Sequence, residues 1–523
     1  MANRFKFGEV KLDVTAGRDR LQSVPDPETP FRIALLGDFS GRANRQLMEI
    51  GDKLADRRPV MIDRDNFDEV LAKFAPKIEL PLEGSKGTRV PLRFTDIDDF
   101  HPDRLLDRVE LFRKLRETRK RLGDPSTFAA AAAELGIAVG SRADTQATLP
   151  GPSEPTPAGD LRGIAGGDLL AQSIEETEGR TGEERPSRAP DEWTLFLRRI
   201  TAPHVVAKAD PRQSELIALV DRATSAQMAA LLHVGDLQAL EAAWRAVFFL
   251  VRNIETSPRL KLYLLDISKQ ELSADLAASD DLRATGLYKL LVEKTVGTPG
   301  ADPWAVLAAN YMFDLTREDA EVLGRVAKVA AASGAPFVAG AHSRLLGCES
   351  IAEAPNPREW KALVDSEATR AWSELRKLHE SCYVGLALPR LLLRLPYGPE
   401  TEATELFQFE EMSSPPLHED YLWGNPSFAC ALLMAQAFEG HGWAFRPGVY
   451  SEIGGLPLHI YRAEGESRVK PCAEVLLTES AAERILEMGL MPLVSLKDQA
   501  TVRLVRFQSI ASPLSPLMGR WGG

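Results

Sequence analysis

Residues 31–38 read Phe31-Arg32-Ile33-Ala34-Leu35-Leu36-Gly37-Asp38, an apolar run that only Arg32 interrupts. A strand that is buried on both faces of a parallel sheet has this continuous apolar pattern, whereas a half-exposed strand alternates. Gly37 and Asp38 end the run, and both residue types favour turns. The run therefore predicts a central strand of a sheet.

Patterns further along the chain extend this prediction. Residues 259–267 alternate as a strand, Arg317 to Ser333 have helical periodicity, and residues 336–340 form the next apolar strand. Strand, helix and strand in this order predict α/β units with a largely parallel sheet. We therefore expect a mixed α/β fold with partly parallel sheets flanked by helices.

A long helix is predicted from Pro102 to Leu122. Its apolar residues recur at steps of three and four residues, which is the spacing of one buried helical face. They are Leu105, Leu106, Val109, Phe112 and Leu115. Because this stripe is too broad for a small domain to cover alone, we expect the two halves of the chain to form one intertwined body.

The amino-terminal segment carries a strand pattern of its own. Val10, Leu12 and Val14 alternate with polar residues and would share one face of a strand. A polar, proline-containing interval over residues 22–30 separates this strand from the next one. A strand without neighbours cannot bury its face, so we predict an exchange arm that pairs with a sheet edge outside its own compact domain.

Composition divides the chain into three parts. Residues 141–191 are rich in Gly, Pro, Ser, Thr and Glu and contain almost no aromatic residues, which predicts a flexible linker. We therefore predict an amino-terminal domain with its arm over residues 1–140 and a second domain over residues 192–523.

One island in this linker has a helical pattern. Asp168 is suited to cap it, and Leu169, Leu170 and Ile174 would lie on one helical face. So short a helix is only marginally stable on its own. The island therefore either has no function or is a docking peptide.

The overall composition excludes several classes of protein. With 44% hydrophobic and 26% charged residues, the chain is typical of soluble globular proteins. A net charge of -12 argues against nucleic-acid binding, and no apolar run reaches the roughly 18 residues that membrane insertion needs. The first residues lack the apolar stretch of a secretory signal, so we expect a cytoplasmic protein with reduced cysteines.

No catalytic, cofactor or metal site is predicted. The turn at residues 37–42 lacks the lysine and spacing of a phosphate-binding loop, and Asp98 and Asp99 are better explained as helix caps. His379 and Cys382 would share a helical face, but no third group marks them as a nucleophile pair.

Ordered sequence strings in the second half carry a resemblance to a known family. They are His233 to Arg245, Gly385 to Arg390, Arg394-Leu395-Pro396-Tyr397-Gly398, Phe409-Glu410-Glu411 and Leu422-Trp423-Gly424-Asn425. On these residues the second half resembles the large subunit of the contractile sheath of bacterial type VI secretion systems. On residues 30–42 and 94–103 the first half resembles the small sheath subunit. We expect the Pro and Gly residues to fix turns, and the Tyr, Trp and Arg residues to anchor buried polar contacts.

The resemblance implies a fused sheath protein, with no enzymatic activity and no cofactor. Its expected partners are other sheath protomers, an inner tube protein and the proteins of a baseplate that is anchored to the cell envelope. The linker island resembles a helix that an AAA+ unfoldase grips in that family, so Leu169, Leu170 and Ile174 are the expected anchors. The family's large subunit continues beyond the segment matched here, so we expect a large half without its usual C-terminal domain.

Two alternatives stay open at this point. A truncated sheath protein would also suit a sheath terminator or a baseplate-proximal adaptor, because only one of its faces would bind further sheath protomers. The alternative from another class is an α/β hydrolase built around Cys382 or an Asp/His pair.

Overall fold

The computed structural model describes residues 5–10, 24–81, 89–124, 126–136 and 212–521. Its helices, numbered in chain order, are α1 Asp52–Ala55, α2 Phe67–Phe74, α3 Pro102–Arg108, α4 Glu110–Gly123, α5 Phe128–Glu134, α6 Arg212–Leu232, α7 Gly235–Asn253, α8 Lys269–Ala277, α9 Gly286–Tyr288, α10 Arg317–Ser333, α11 Glu367–Lys377, α12 Ser427–His441 and α13 Glu479–Glu487. Its strands are β1 Phe31–Gly37, β2 Val60–Ile62, β3 Lys77–Pro81, β4 Arg89–Arg93, β5 Leu260–Asp266, β6 Val306–Phe313, β7 Phe337–Ala341, β8 Val384–Leu388, β9 Leu391–Leu392, β10 Trp423–Gly424, β11 Glu452–Gly454, β12 His459–Ala463, β13 Glu466–Lys470, β14 Met491–Ser495 and β15 Thr501–Leu504.

Nine of these strands form one mixed sheet, in the spatial order β11-β15-β14-β8-β7-β6-β1-β5-β2. The six strands from β14 to β5 are paired in parallel. Antiparallel strands close both edges, with β2 on β5 and with β15 and β11 beyond β14. The predicted mixed α/β fold with a partly parallel sheet is therefore confirmed.

Strand β1 lies in the middle of this sheet. It pairs with β5 from Phe31 opposite Leu260 to Gly37 opposite Asp266, and with β6 on its other side. The side chains of its apolar residues have no exposed surface, which explains why the sequence does not alternate there. A strand from the first hundred residues thus has both neighbours from beyond residue 259. The two parts of the chain are intertwined, as predicted.

The described residues divide into two compact units. The larger one contains those within residues 1–80, 91–104 and 229–523, and the smaller one contains those within residues 81–90 and 105–228. The predicted domain boundaries near residues 140 and 191 lie outside the described ranges, so they stay predictions.

The smaller unit is built from α4, α5 and most of α6. Arg121 binds both carboxylate oxygens of Glu134 at 2.7 Å. Gln213 donates to the carbonyls of Leu122 and Gly123 at 2.9 Å each, which satisfies acceptors that the end of α4 would leave open.

The prediction of one helix from Pro102 to Leu122 is wrong. The chain forms α3 and α4, and between them Val109 has an extended backbone with ψ of 124°. Val109 is nevertheless almost completely buried, so the apolar stripe continues through the break. Apolar spacing records which face is buried, and it does not record the backbone torsion of a single residue.

Candidate functional site

The candidate site is the joint between residues 37–57 and residues 266–286, at the carboxyl ends of β1 and β5. The Asp266 carboxylate accepts hydrogen bonds from the N–H groups of Phe39 and Ser40 at 2.9 and 3.1 Å, and from the Ser40 hydroxyl at 2.6 Å. Burial raises the pKa of Asp266, and these donors partly oppose that effect. The first turn of the joint is thus held by a residue more than 200 positions away.

A second aspartate shapes the same turn from within. Asp38 accepts hydrogen bonds from the N–H groups of Arg42 and Ala43 at 2.6 and 2.8 Å. Gly41 has a φ of +76°, and a Cβ there would lie 2.4 Å from the carbonyl oxygen of Lys77. The predicted role of this sequence as a structural turn is confirmed.

The centre of the joint is the carboxylate of Glu271, whose side chain has no exposed surface. Arg42 donates to it from Nε at 3.0 Å, and Arg57 donates from Nη2 at 2.5 Å. The N–H groups of Glu49 and Ser268 add bonds of 3.0 and 3.1 Å. Two cations from the first part of the chain therefore surround one anion from the second part.

These donors determine the ionisation of Glu271. Burial alone would raise the pKa of this carboxyl, because the charged form loses water. The hydrogen bonds from Arg57 and Arg42 outweigh that effect and lower the pKa to about 2. The carboxylate is therefore ionised at neutral pH, and the joint contains a compensated buried ion cluster.

Asp275, which is also fully buried, completes the joint through backbone contacts. Its Oδ1 accepts from the N–H of Gly51 at 2.6 Å and from that of Gly286 at 3.0 Å, and its Oδ2 accepts from that of Leu287 at 2.8 Å. A Cβ on Gly286 would lie 2.2 Å from the carbonyl oxygen of Gly51. Close backbone approach therefore requires glycine at position 286.

A second buried ion cluster joins the sequence strings that carried the family resemblance. Arg394 donates to Glu241 at 2.8 Å and to both oxygens of Glu411 at 2.7 and 2.8 Å. Its guanidinium also lies 4.3 Å from the ring centre of Tyr397, whose hydroxyl accepts from Arg245 at 3.0 Å. The expectation that the Arg and Tyr residues of these strings anchor buried polar contacts is confirmed.

Glu411 resembles Glu271 in its electrostatics. Burial raises its pKa, but the charge and hydrogen bonds of Arg394 and the hydrogen bond from the Tyr397 N–H lower it to about 2. Both buried clusters are therefore ionic at neutral pH, and both connect segments that are distant in sequence.

The enzyme alternative finds little chemical support in its own residues. The Cys382 thiol donates to the carbonyl oxygen of His379 at 2.9 Å, so it contacts the His379 backbone and not the imidazole. Burial raises the pKa of Cys382 to about 11, which keeps the thiol protonated and weakly nucleophilic at neutral pH. The side chains of Asp96 and Asp99 cap the short turn at Ile97–Phe100, so the cap predicted at Asp99 is confirmed, whereas Asp98 supplies the N–H that Asp96 accepts.

A half-open cavity of about 360 Å³ lies where β1 and β6 end. In open α/β sheets this is the usual place for a ligand, because the strand order reverses there. Here Lys269 donates to the Met312 carbonyl and to the Asp319 carboxylate at 2.8 Å each, and Asp236 accepts from Asn44 at 2.7 Å. These groups bind one another, so their arrangement favours a structural role.

Two features of the described ranges bear on other functions. No group of three or more His, Cys, Asp and Glu side chains there is placed to hold a metal ion. In the same ranges, no helix has both the length and the apolar character needed to cross a bilayer.

Of the predicted site residues, the structure describes only Val10. Val10 is half-buried, directly after Glu9, which forms a parallel bridge with Asp281. Leu12 and Val14 lie outside the described residues, as do Leu169, Leu170 and Ile174 of the linker island. The exchange arm and the docking helix therefore stay predictions.

The sequence did not single out Glu271, Arg57 or Asp275. One local signal was available, since Ser268 and Glu271 have the spacing of a capping box, and the structure forms that box. A capping box indicates a helix start, however, and it gives no indication that its glutamate is buried against two distant arginines.

Comparison with known proteins identifies the class of this fold. Residues 214–511, more than half of the chain, match the VipB family, described as EvpB/VC_A0108, tail sheath N-terminal domain. The protein is therefore of the tail sheath class. Residues 10–135 match a second family, described as type VI secretion system, VipA, VC_A0107 or Hcp2. The chain belongs to the VipB tail sheath family, and it carries a VipA-like region before the VipB domain.

Two proteins of Pseudomonas aeruginosa are similar to the two parts of the chain. Type VI secretion system sheath protein TssC1 is 34% identical over 304 residues, which cover 57% of this chain and 61% of TssC1. Type VI secretion system sheath protein TssB1 is 30% identical over 105 residues, which cover 19% of this chain and 59% of TssB1. The chain thus spans less than two thirds of either relative.

Proposed function

We propose that this chain is a fused small-plus-large subunit of a type VI secretion contractile sheath. It assembles with other sheath protomers around an inner tube protein in the cytoplasm, on an envelope-anchored baseplate. Contraction drives the tube outward by repacking protein surfaces, which requires two packings of the same surfaces and no active site.

The joint around Glu271 is the observation that carries this proposal. Strand β1 lies between β5 and β6, and the ion cluster of Arg42, Arg57 and Glu271 fastens the turn that follows β1. The small-subunit-like and large-subunit-like parts therefore fold as one protomer. Cleavage within residues 141–191 is expected to leave two fragments that co-elute on gel filtration. Two separately folded species would contradict a joint of this kind.

Negative-stain microscopy of the purified full chain tests the function. A sheath subunit is expected to form tubes or stacked rings, alone or with its tube protein. Discrete monomers under all these conditions, with the tube protein present, would refute the proposal.

The arm at Val10, Leu12 and Val14 supplies a test at residue level. Val10 packs against the core of its own chain, so we propose that the side chains of Leu12 and Val14 pack against a neighbouring protomer, with backbone bonds from an added strand. Leu12→Asp is expected to abolish assembly of a folded protein, whereas Lys11→Asp, on the opposite face, should retain it. Deleting residues 1–20 should likewise leave a soluble, folded chain that no longer associates. Unfolding of that truncated chain would show that the arm belongs to its own core.

The linker island is proposed as the handle for an AAA+ unfoldase. Leu170→Asp combined with Ile174→Asp should abolish capture of the full chain by the unfoldase, because apolar anchors carry most of such an affinity. Gln172→Asp, on the opposite helical face, is the matched control. Undiminished capture of the double variant would contradict this role.

The terminator or adaptor alternative makes a different prediction in the same microscopy. A protein that binds other protomers through only one face would give caps or single rings bound to the ends of preformed sheaths.

The enzyme alternative predicts a hydrolytic activity that Cys382→Ala removes while assembly is unaffected.

A further inference from the structure

Residues 5–10 lie in a groove of the same chain, between α10 and the loop that follows α8. The N–H of Glu9 donates to the carbonyl of Asp280 at 2.7 Å, and the N–H of Leu282 donates to the carbonyl of Glu9 at 2.9 Å. On the other side of the segment, Lys328 donates to the carbonyl of Gly8. The groove thus binds the segment mainly through its backbone, as strand-like peptide sites do.

Two glycines allow this close approach, one on each partner. A Cβ on Gly324, in the interior of α10, would lie 2.2 Å from Cδ1 of the Phe7 ring. Glycine weakens a helix interior relative to alanine, so the contact with Phe7 supplies a reason for its presence there. Gly8 has a φ of +68°, and a Cβ there would lie 2.9 Å from Leu282. Groove and segment are therefore complementary in shape.

The buried guanidinium of Arg325 shows that the groove is prepared for a backbone carbonyl. Its Nη1 donates to the carbonyls of Leu276 and Ser279 at 2.5 and 2.8 Å, which fixes its orientation. Its Nε then donates to the carbonyl of Lys6 at 3.0 Å. Departure of the segment would leave this Nε without that acceptor, which is unfavourable for a buried donor.

We infer that this groove is a receptor for an extended peptide that contains an aromatic residue followed by glycine, and that residues 5–10 of the same chain occupy it. The Phe7 ring packs on Gly324, and the backbone on both sides of it is bound by the groove. The predicted arm at Val10–Val14 therefore starts from an anchored point. The inference concerns the isolated chain and does not depend on the sheath function.

A labelled peptide of residues 5–10 tests the receptor on the full chain. Phe7→Ala weakens the chain's own segment and should open the groove, so the peptide is expected to bind this variant saturably in fluorescence anisotropy. It should bind the wild-type chain at least tenfold more weakly, because the tethered segment competes at high effective concentration. Adding Gly324→Ala to the Phe7→Ala chain should weaken binding at least tenfold, since the new Cβ occupies the place of the ring.

Two controls separate this effect from general loss of structure. Gly235→Ala, whose Cβ meets nothing within 4 Å, should leave peptide binding to the Phe7→Ala chain unchanged. A peptide carrying Phe7→Ala should bind at least tenfold more weakly, and it alters no part of the protein. Equal binding to the wild-type and Phe7→Ala chains, absence of saturable binding, or indifference to Gly324→Ala would overturn the inference.

Hydrogen exchange of the unlabelled full chain gives an independent measurement. The Glu9 amide should be protected in the wild-type chain and exchange at least tenfold faster in the Gly324→Ala variant. Exchange of this amide at the unprotected rate in the wild-type chain would also overturn the inference.

Discussion

Replacing Glu271 with glutamine should destabilise the protein by about 3 kcal/mol at neutral pH. The pKa of the buried carboxyl is lowered from 4.5 to about 2, and each unit corresponds to about 1.4 kcal/mol of preference for the charged form in the folded state. Removing one partner from a buried ion pair gives a similar figure, about 3–5 kcal/mol. The amide of glutamine keeps the volume of the side chain, so the loss reflects charge and hydrogen bonding and not a cavity.

The sign of the pH dependence follows from the direction of the shift. A carboxyl whose pKa is lower in the folded state contributes stability above its unfolded pKa, and this contribution is lost as pH falls from about 4.5 to about 2. Glu411 and Glu474, whose pKa values are also lowered to about 2, act in the same interval. The Glu271→Gln variant should therefore lose less stability than the wild type over this range, because the contribution of Glu271 is absent.

Urea unfolding followed by tryptophan fluorescence, at pH 7 and at steps down to pH 2, measures both effects. The buried Trp244 and Trp304 report on the larger unit. Glu483→Gln, at an exposed position of α13, is the control and should behave like the wild type. A Glu271→Gln variant with wild-type stability at pH 7, or with an unchanged acid dependence, would refute the electrostatic account of the joint.

Three further predictions concern other buried groups. Arg394→Met should lower the free energy of unfolding by at least about 3 kcal/mol, because it removes the cation that binds both oxygens of the buried Glu411 carboxylate; wild-type thermal stability would contradict this. Gly286→Ala should lower it by about 1–3 kcal/mol through the clash with the Gly51 carbonyl, whereas Gly235→Ala should have no such effect in the same urea titration. Burial lowers the pKa of Lys470 to about 8, so the folded state disfavours its charge below that pH and stability should gain a contribution between pH 8 and 10.5. Lys470→Met should remove that gain, and an unchanged alkaline profile would be evidence against it.

Much of the fold could be predicted from local pattern. The run at residues 31–36 indicated a strand buried on both faces, and the helix at Arg317–Ser333 has the predicted bounds. Both signals are strong because burial on a whole face or on both faces constrains every residue of the element. The break at Val109 was missed because one extended residue leaves the apolar spacing intact.

The joint could not be predicted, because its partners are distant in sequence. Glu271 lies more than 210 residues from Arg57, and a single charged residue carries no pattern that specifies burial or a distant partner. The family strings were more informative, since they contain Arg394 and Glu411, which the structure brings into contact. Even there, Glu241 is the second carboxylate that binds Arg394 only because of how α7 packs, and local sequence does not specify that packing.

A sheath that works by repacking needs protomers that are stiffer than the contacts between them. Otherwise strain would relax within each subunit before it moved the tube. In this chain β1 is paired on both edges, and the turn after it is fastened to the partly buried carboxylate of Asp266 and to the buried carboxylate of Glu271. Such clusters resist sliding because any displacement separates buried charges. If the proposed function holds, weakening the joint should therefore impair contraction before it abolishes assembly, and Arg57→Lys, which keeps the charge but loses the fork geometry, is the variant that separates the two. A variant that contracts normally with a weakened joint would show that protomer stiffness is not the limiting property.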